Sequence, residues 1–305
     1  MTSRLLMPVR TAVRTVGGGA GPVPPREAAG STRPTPILDL EHPRVAAFAA
    51  GVLREADERG AATERARLQV AHGIIASTVR PVYSVEDRRR VSRTLRLGRG
   101  SCSQRMAVLE AVARTLDVPT RVRGLLVDGA FWYPRFPRLR PFVPEEVLLA
   151  WPEFLLDGAW VPVAELFGVS GERTDESADG FTNSGPETLF EAVARTSVDW
   201  DAPAACAGSA APCDLSAHLH TDLGRFDSRD ELFTRHGQTL CRPARTLAEP
   251  VLGRWSAGAA PLTSEPPTSE SPTSESPTSE SPTSESPTSE PPTSEPPTSA
   301  TPSAA

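Results

Sequence analysis

The sequence contains no lysine, so all 32 of its basic residues are arginine, against 38 acidic residues and 5 histidines. Seven of the acidic residues are glutamates of a C-terminal repeat, which leaves 31 in the remainder of the chain. That remainder is therefore nearly neutral and has no strongly basic field. A chain of this kind is not expected to bind nucleic acid.

The sequence also lacks any apolar run long enough to span a membrane, and we expect no membrane partner. Near the N-terminus, Arg4, Arg10 and Arg14 interrupt the apolar residues, whereas a secretion signal needs a continuous apolar centre. We therefore expect a cytoplasmic protein. In that compartment the four cysteines, at positions 102, 206, 213 and 241, are expected to be reduced thiols.

The two ends of the chain have the composition of segments that do not fold. From Thr263 a five-residue pattern of Thr, Ser, Glu and Pro repeats without aromatic or basic residues. Such a segment cannot bury enough apolar surface to offset the entropy of ordering it. We predict a flexible segment at 1–36, one folded domain at 37–256 and a disordered tail at 257–305. The tail is either a solvated spacer or an extension without a specific partner.

The first half of the folded region predicts helices. Apolar residues recur at helical spacing in 42–60 and 62–79, and Gly60 and Pro81 are expected to end these two helices. A third short helix is predicted to begin at Ser84, whose side chain would cap it. Another is predicted to follow Cys102, with Ser101 or Ser103 as its cap.

Strands dominate the next part. Residues 120–127 are rich in β-formers, and 145–163 predict two strands joined at Asp157–Gly158, a strong hairpin signal. Two further helices are predicted, within 186–196 and 228–240. Helices followed by an antiparallel unit predict an α+β domain.

Cys102 carries the clearest chemical signal, because it lies on a Gly-rich turn where a helix begins. Unpaired N–H groups and the helix dipole at such a position favour thiolate over thiol. A nucleophilic cysteine also needs a base and a group that orients the base. The alternative is a buried structural cysteine that behaves as a small apolar residue.

Two segments resemble the transglutaminase-like superfamily. "GSCSQRMAVLEAVARTLDVPTRVRGL" is similar to its cysteine-bearing helix, and "LAWPEFLLDGAWVPVAEL" to the hairpin that follows it; the resemblance as a whole covers about 62–167. The resemblance implies the superfamily's α+β fold, with the cysteine helix packed on an antiparallel sheet. It also implies a papain-like Cys, His and Asp triad and acyl-transfer chemistry: amide formation, hydrolysis or deamidation. No cofactor or metal is expected.

The chain departs from the superfamily's pattern at two of the three triad positions. The histidine position falls on Leu149 and the aspartate position on Ala164, with Glu165 one residue beyond. Loss of triad members costs several orders of magnitude in rate. Two functions follow as alternatives. One is Cys-dependent acyl transfer on an amide or thioester of a peptide, protein or small acyl or amine substrate; the other is a catalytically degenerate binding or scaffold protein.

His218 and His220 are the candidates for a substitute base, since both lie in a stretch with several aspartates. Structural or surface histidines are the alternative, and His72, on an apolar helical face, is expected to be a core residue. The same two histidines with Cys206 and Cys213 form a C-x6-C-x4-H-x-H pattern. Zinc sites favour closer cysteine pairs, so we interpret this segment as a loop rather than a metal site.

Aromatic and arginine residues are concentrated between the predicted strands, in 129–145. Trp132, Tyr133 and Arg135, together with Trp151, are the candidate substrate-binding residues, because aromatic rings supply contact area and arginine binds carboxylate or phosphate. The alternative is a long connection that its aromatic residues pin to the core.

Overall fold

The structure is a computed structural model that describes residues 28–168, 181–196, 198–201 and 214–257. The predicted tail from residue 258 on, most of the predicted N-terminal segment, and both Cys206 and Cys213 lie outside the described residues. In the part of the chain that the structure describes, no helix combines the length and the apolar character needed to cross a membrane.

Helices come first, as predicted. Helix α1 spans Pro43–Glu58 and helix α2 spans Glu64–Thr78. The His42 side chain caps α1 by accepting from the N–H of Arg44, and Thr63 caps α2. Both helices end as predicted, shortly before the helix-ending residues Gly60 and Pro81.

The prediction of a third helix beginning at Ser84 is wrong. Helix α3 spans Val91–Leu97, and residues 83–90 form a loop. The Ser84 hydroxyl does not cap a helix; it donates to the carboxylate of Glu249 at 2.9–3.0 Å. A partner 165 residues away therefore outweighs the local capping signal.

The cysteine-bearing helix, α4, spans Cys102–Thr115, and nearly all of its residues from Gln104 onward are buried. It packs on a four-stranded antiparallel sheet. The strands are β3 (Thr120–Asp128), β4 (Glu146–Leu156), β5 (Ala159–Pro162) and β6 (Leu219–Phe226), and their order across the sheet is β5-β4-β3-β6. This arrangement confirms the predicted α+β class, the cysteine helix on an antiparallel sheet and the hairpin at Asp157–Gly158.

The remaining strands and α-helices of the described residues are two short strands before α4 and three helices that follow β5 in the chain. The two-residue strands β1 (Arg80–Pro81) and β2 (Arg99–Gly100) pair in parallel. Helices α5 (Leu189–Ala192) and α6 (Arg229–His236) confirm the two later helix predictions. Strand β6 and helix α7 (Arg242–Leu252) were not predicted. After α7 the chain returns to the loop at 82–83, where Ser256 bridges to Val82.

Candidate functional site

The turn before α4 fixes the position of Cys102. Gly98 adopts a left-handed conformation (φ 57°) that ends α3, and a Cβ on Gly100 would lie 2.9 Å from the side chain of Thr94. Ser101 then caps α4, because its hydroxyl accepts from the N–H of Gln104 while the Gln104 side chain accepts from the N–H of Ser101. Cys102 is consequently the first residue of the helix, and its side chain is half-buried.

Gln104 also anchors this helix start to the rest of the domain. Its side-chain amide donates to the Ser84 hydroxyl and to the Glu86 carbonyl, both at 2.7 Å, and its oxygen accepts from Arg89 at 2.9 Å. Ser84 and Arg89 in turn bind Glu249 of α7. The last helix, the 83–90 loop and the start of α4 therefore form one hydrogen-bonded unit.

Cys102 lines a cavity of about 250 Å³. The walls are predominantly apolar. The start of α4 forms one wall, and β4 contributes Val147, Leu148 and Leu149. The 129–145 connection contributes aromatic rings such as Trp132 and Phe136. At one edge, Leu139 and Phe142 are 38% and 62% exposed, so the apolar lining continues to the surface. A thiol at the wall of an apolar cavity is the central feature of the site.

Residues 46–164, which include this cysteine, α4 and the β4–β5 hairpin, match the transglutaminase-like superfamily. They are a transglutaminase-like domain. No curated protein and no solved structure matches the chain. The family match agrees with the resemblance seen in the two sequence segments, and it shows a transglutaminase-like domain at residues 46–164 without identifying a substrate or a reaction.

The two departures from the superfamily's triad have clear structural consequences in this transglutaminase-like domain. Leu149 lies on β4 opposite Leu125 and lines the cavity together with Cys102, so an isobutyl group occupies the wall where the resemblance places an imidazole. Ala164 lies in the turn after β5, is 2% exposed and does not line the cavity. The neighbouring Glu165 is exposed and is also outside the cavity lining.

All five histidines belong to the described residues, and none of them lines the cavity. His220 lies on β6, 61% exposed, with its Nε2 atom 3.3 Å from a carboxylate oxygen of Glu146. The His218 ring packs edge-on against Phe131 at 5.2 Å. The structure thus places neither candidate base in the cavity with Cys102, and a role for them in catalysis stays a prediction.

The other three histidines have structural partners. His72 is buried, stacks on Phe190 and shares a hydrogen bond of 2.5 Å with the Phe190 carbonyl, as expected for a core residue. Burial lowers the pKa of His72, which keeps its ring neutral. His42 caps α1, and the His236 ring packs on Phe226.

Only two of the four predicted substrate-binding residues reach the cavity. Trp132 and Arg135 line it, although the Arg135 guanidinium already donates to Asn183 (2.9 Å) and to the Ala257 carbonyl (3.3 Å). Tyr133 lies outside and stacks against Arg140. Trp151 is buried in the core, where its ring packs edge-on against Trp200 at 5.3 Å.

Asp87 lies in the loop at 83–90, within the segment where the sequence predicts a helix that begins at Ser84. It lines the cavity, and its carboxylate accepts from the N–H of Thr239 at 3.3 Å. Burial raises its pKa to about 7, and the nearby Glu86 carboxylate adds to this rise. The only sequence signal for Asp87 is its place in an acidic pair before three arginines, which equally fits a solvent-exposed helix start.

A buried ion pair lies behind the helix start. Arg229 of α6 and Glu110 of α4 bind each other, and both side chains are fully buried. Arg229 also donates to the Ser103 hydroxyl at 3.0 Å and to the Ala150 carbonyl at 3.3 Å. One guanidinium therefore holds α4, β4 and α6 together beside Cys102 and Leu149.

No cluster of three or more metal-binding side chains occurs within 28–168, 181–196, 198–201 and 214–257. The C-x6-C-x4-H-x-H pattern falls partly outside this region, since both of its cysteines do. The absence of zinc therefore stays a prediction for that pattern.

Proposed function

We propose that this domain is a transglutaminase-like binding protein whose cavity takes a small apolar ligand, without the superfamily's imidazole-dependent chemistry. The observation that carries the proposal is the wall beside Cys102, where Leu149 continues an apolar surface at the position of the expected histidine. Ala164 at the position of the expected carboxylate is consistent with the same conclusion.

The volume and lining define the ligand class. A cavity of about 250 Å³ is near the lower end of small-molecule sites, which suits a short alkyl chain or a single aromatic ring. Burying apolar surface contributes about 25 cal/mol per Å², so some 200 Å² of ligand surface supplies about 5 kcal/mol before the costs of association. The expected affinity is therefore millimolar, and no tighter than a few tenths of a millimolar.

Calorimetry with straight-chain carboxylic acids and alcohols of about six to ten carbons tests the proposal. We expect binding with a negative heat-capacity change and slower alkylation of Cys102 by iodoacetamide when ligand is present. Leu149→Gln should weaken binding about tenfold or more, since it places a polar amide in the apolar wall. Leu223→Gln is the matched control, because Leu223 packs against the core outside the cavity.

Two results oppose the proposal. One is that no member of the series binds. The other is that Leu149→Gln and Leu223→Gln bind as the wild type does, which would place the ligand elsewhere.

A second candidate function is Cys102-dependent acyl transfer on an amide or thioester. The observation that favours it is the position of Cys102 at a capped helix start within the cavity wall, where backbone N–H groups are suited to stabilise an oxyanion. Incubation with p-nitrophenyl hexanoate followed by intact-mass analysis tests it. One hexanoyl group on the wild type and none on Cys102→Ser is the expected result; no adduct on the wild type contradicts this candidate.

A further inference from the structure

We propose that Asp87 is the proton-transfer group for Cys102 in this cavity, in place of the histidine that the superfamily has at the position of Leu149. This inference goes beyond ligand binding and rests on the second candidate function, for which it supplies the absent base. It is carried by the position of Asp87 in the cavity wall and by two sets of contacts, one made by Asp87 itself and one made by Arg229.

The first set of contacts ties Asp87 to strand β4. The Asp87 carboxylate accepts from the N–H of Thr239, and the Thr239 hydroxyl accepts from the N–H of Leu148 at 3.2 Å. Leu148 immediately precedes Leu149, and both line the cavity. Asp87 is thus held through one residue to the stretch of β4 that carries the histidine position.

The second set of contacts joins the same stretch of β4 to the start of α4. The Arg229 guanidinium, whose charge acts on Asp87, donates both to Ser103, the residue after Cys102, and to Ala150, the residue after Leu149. The neighbour of Cys102 and the neighbour of Leu149 therefore share one partner. Asp87 and Cys102 both line this cavity.

The charge environment of Asp87 suits proton transfer. Burial, followed by the Glu86 carboxylate, raises its pKa, while the Thr239 N–H and the Arg229 and Arg245 guanidinium groups lower it. The result, about 7, means that the protonated and ionised forms are both populated near neutral pH. An ordinary aspartate is ionised almost completely at that pH and is a weak proton acceptor.

The chemical step balances with these two groups and an acyl donor. The Cys102 sulfur forms a bond to the acyl carbon, the bond from that carbon to the leaving group breaks, and the thiol proton passes to an Asp87 oxygen and then to the leaving group. Water or an amine subsequently attacks the thioester, and its proton returns through Asp87 to the departing sulfur. No redox change and no cofactor is involved.

The acylation rate of Cys102 by p-nitrophenyl hexanoate, followed between about pH 5 and 9, tests the proposal. This ester has a good leaving group, so its rate reports the acceptance of the thiol proton. We expect Asp87→Asn to slow acylation about a hundredfold at neutral pH and to remove the inflection near pH 7. Asp157→Asn is the matched control, since it makes the same change at an exposed residue of the β4–β5 turn outside the cavity lining, and its rate should stay within about twofold of the wild type.

Companion measurements separate the explanations. Asn at position 87 can still accept from Thr239, and alkylation of Asp87→Asn by iodoacetamide at pH 9 should match the wild type if the thiol remains accessible. His218→Asn and His220→Asn should keep the inflection. If Asp87→Asn does not fold, the wild-type profile decides, and a profile without an inflection between pH 6 and 8 overturns the proposal.

The proposal is also overturned if Asp87→Asn retains the rate and profile of Asp157→Asn, or if a histidine variant loses the inflection. Calorimetry keeps this outcome distinct from the fate of the binding proposal. Asp87→Asn that binds hexanoic acid but is not acylated supports both. Asp87-dependent acylation by a wild type that binds none of the alkyl probes supports the proton-transfer role and refutes the apolar-ligand function.

Discussion

Replacing Arg229 by methionine should destabilise the domain more than most other single substitutions. Arg229 and Glu110 are both fully buried, and a second oxygen of Glu110 already has no hydrogen-bond partner among the described residues. Without Arg229, the Glu110 carboxylate loses its ion pair, while the Ser103 hydroxyl and the Ala150 carbonyl each lose a donor. The remaining cation that acts on Glu110 is Arg114.

The expected loss follows from the burial of the pair. Breaking a buried ion pair by removing one partner costs about 3–5 kcal/mol, because the other charge stays buried without compensation. Typical domains have unfolding free energies of about 5–15 kcal/mol, so the variant loses a large fraction of its stability. For a domain of this size the melting temperature should fall by about 10 °C.

The sign of the pH dependence is a sharper test than the size of the loss. Burial raises the pKa of Glu110, and Arg229 is the largest influence that lowers it. Removing Arg229 therefore raises this pKa further above its unfolded value. The folded state then holds a proton that the unfolded state has released, so the stability of the variant falls as the pH rises above about 4.5. Arg229→Met should be less stable at pH 8 than at pH 5, relative to the wild type.

Urea unfolding at pH 5 and pH 8 measures both quantities. Arg235→Met is the matched control on the same helix: its side chain is 51% exposed and pairs with Glu231, so it should cost less than about 1 kcal/mol at either pH. The double variant Glu110→Gln/Arg229→Met should recover part of the loss and most of the pH dependence. A loss below about 1 kcal/mol for Arg229→Met, or a loss that does not grow with pH, refutes the reasoning.

Two further predictions concern the loop and cap around Cys102. Ser101→Ala should lower the free energy of unfolding in urea by about 1 kcal/mol, as for other helix caps. Gln104→Ala should lower it by about 2–4 kcal/mol, because Arg89 and Ser84 also lose a hydrogen-bond partner. Equal losses would contradict the anchoring role of Gln104. Asp87→Asn should stabilise the domain by about 4 kcal/mol at pH 8 and leave it nearly unchanged at pH 4. Burial raises the folded pKa of Asp87 from 3.8 to about 7, so the wild type loses stability as the pH rises from the first value to the second, by about 1.4 kcal/mol per pH unit. Thermal melts at the two pH values check this, and a destabilised Asp87→Asn at pH 8 would show that the carboxylate is compensated in the fold.

The sequence predicts those parts of the fold that local chemistry determines. Helices α1 and α2 have apolar residues at regular spacing between recognisable caps and stops, and the hairpin has Asp157–Gly158 at its turn. The cap at Ser101 is likewise a local pattern, so the position of Cys102 at a helix start follows from the sequence. The superfamily resemblance adds the sheet behind the helix and the significance of Leu149.

Long-range contacts explain the failures. Ser84 has the signature of a helix cap, but Glu249 takes its hydroxyl, and no local pattern shows that α7 returns to this loop. Pro250 within α7 argues against a helix there, although the domain forms one. Asp87 and Arg229 are 142 positions apart, and only tertiary packing brings Asp87 to the cavity of Cys102 and Arg229 to the neighbouring Ser103, so the sequence does not single them out.

At this site, the contacts that stabilise the fold can be distinguished from a residue whose burial costs stability. The capping box, the Gln104 contacts and the Arg229–Glu110 pair all stabilise the domain, and together they place Cys102 in the cavity wall whether or not its thiol reacts. The position of Cys102 is therefore explained by stability alone. Asp87 differs, because its burial costs stability at neutral pH and an asparagine would keep its hydrogen bond from Thr239. Groups that carry such a cost are concentrated at functional sites. Asp87, rather than Cys102, is therefore the residue whose substitution best distinguishes a binding cavity from a reactive one.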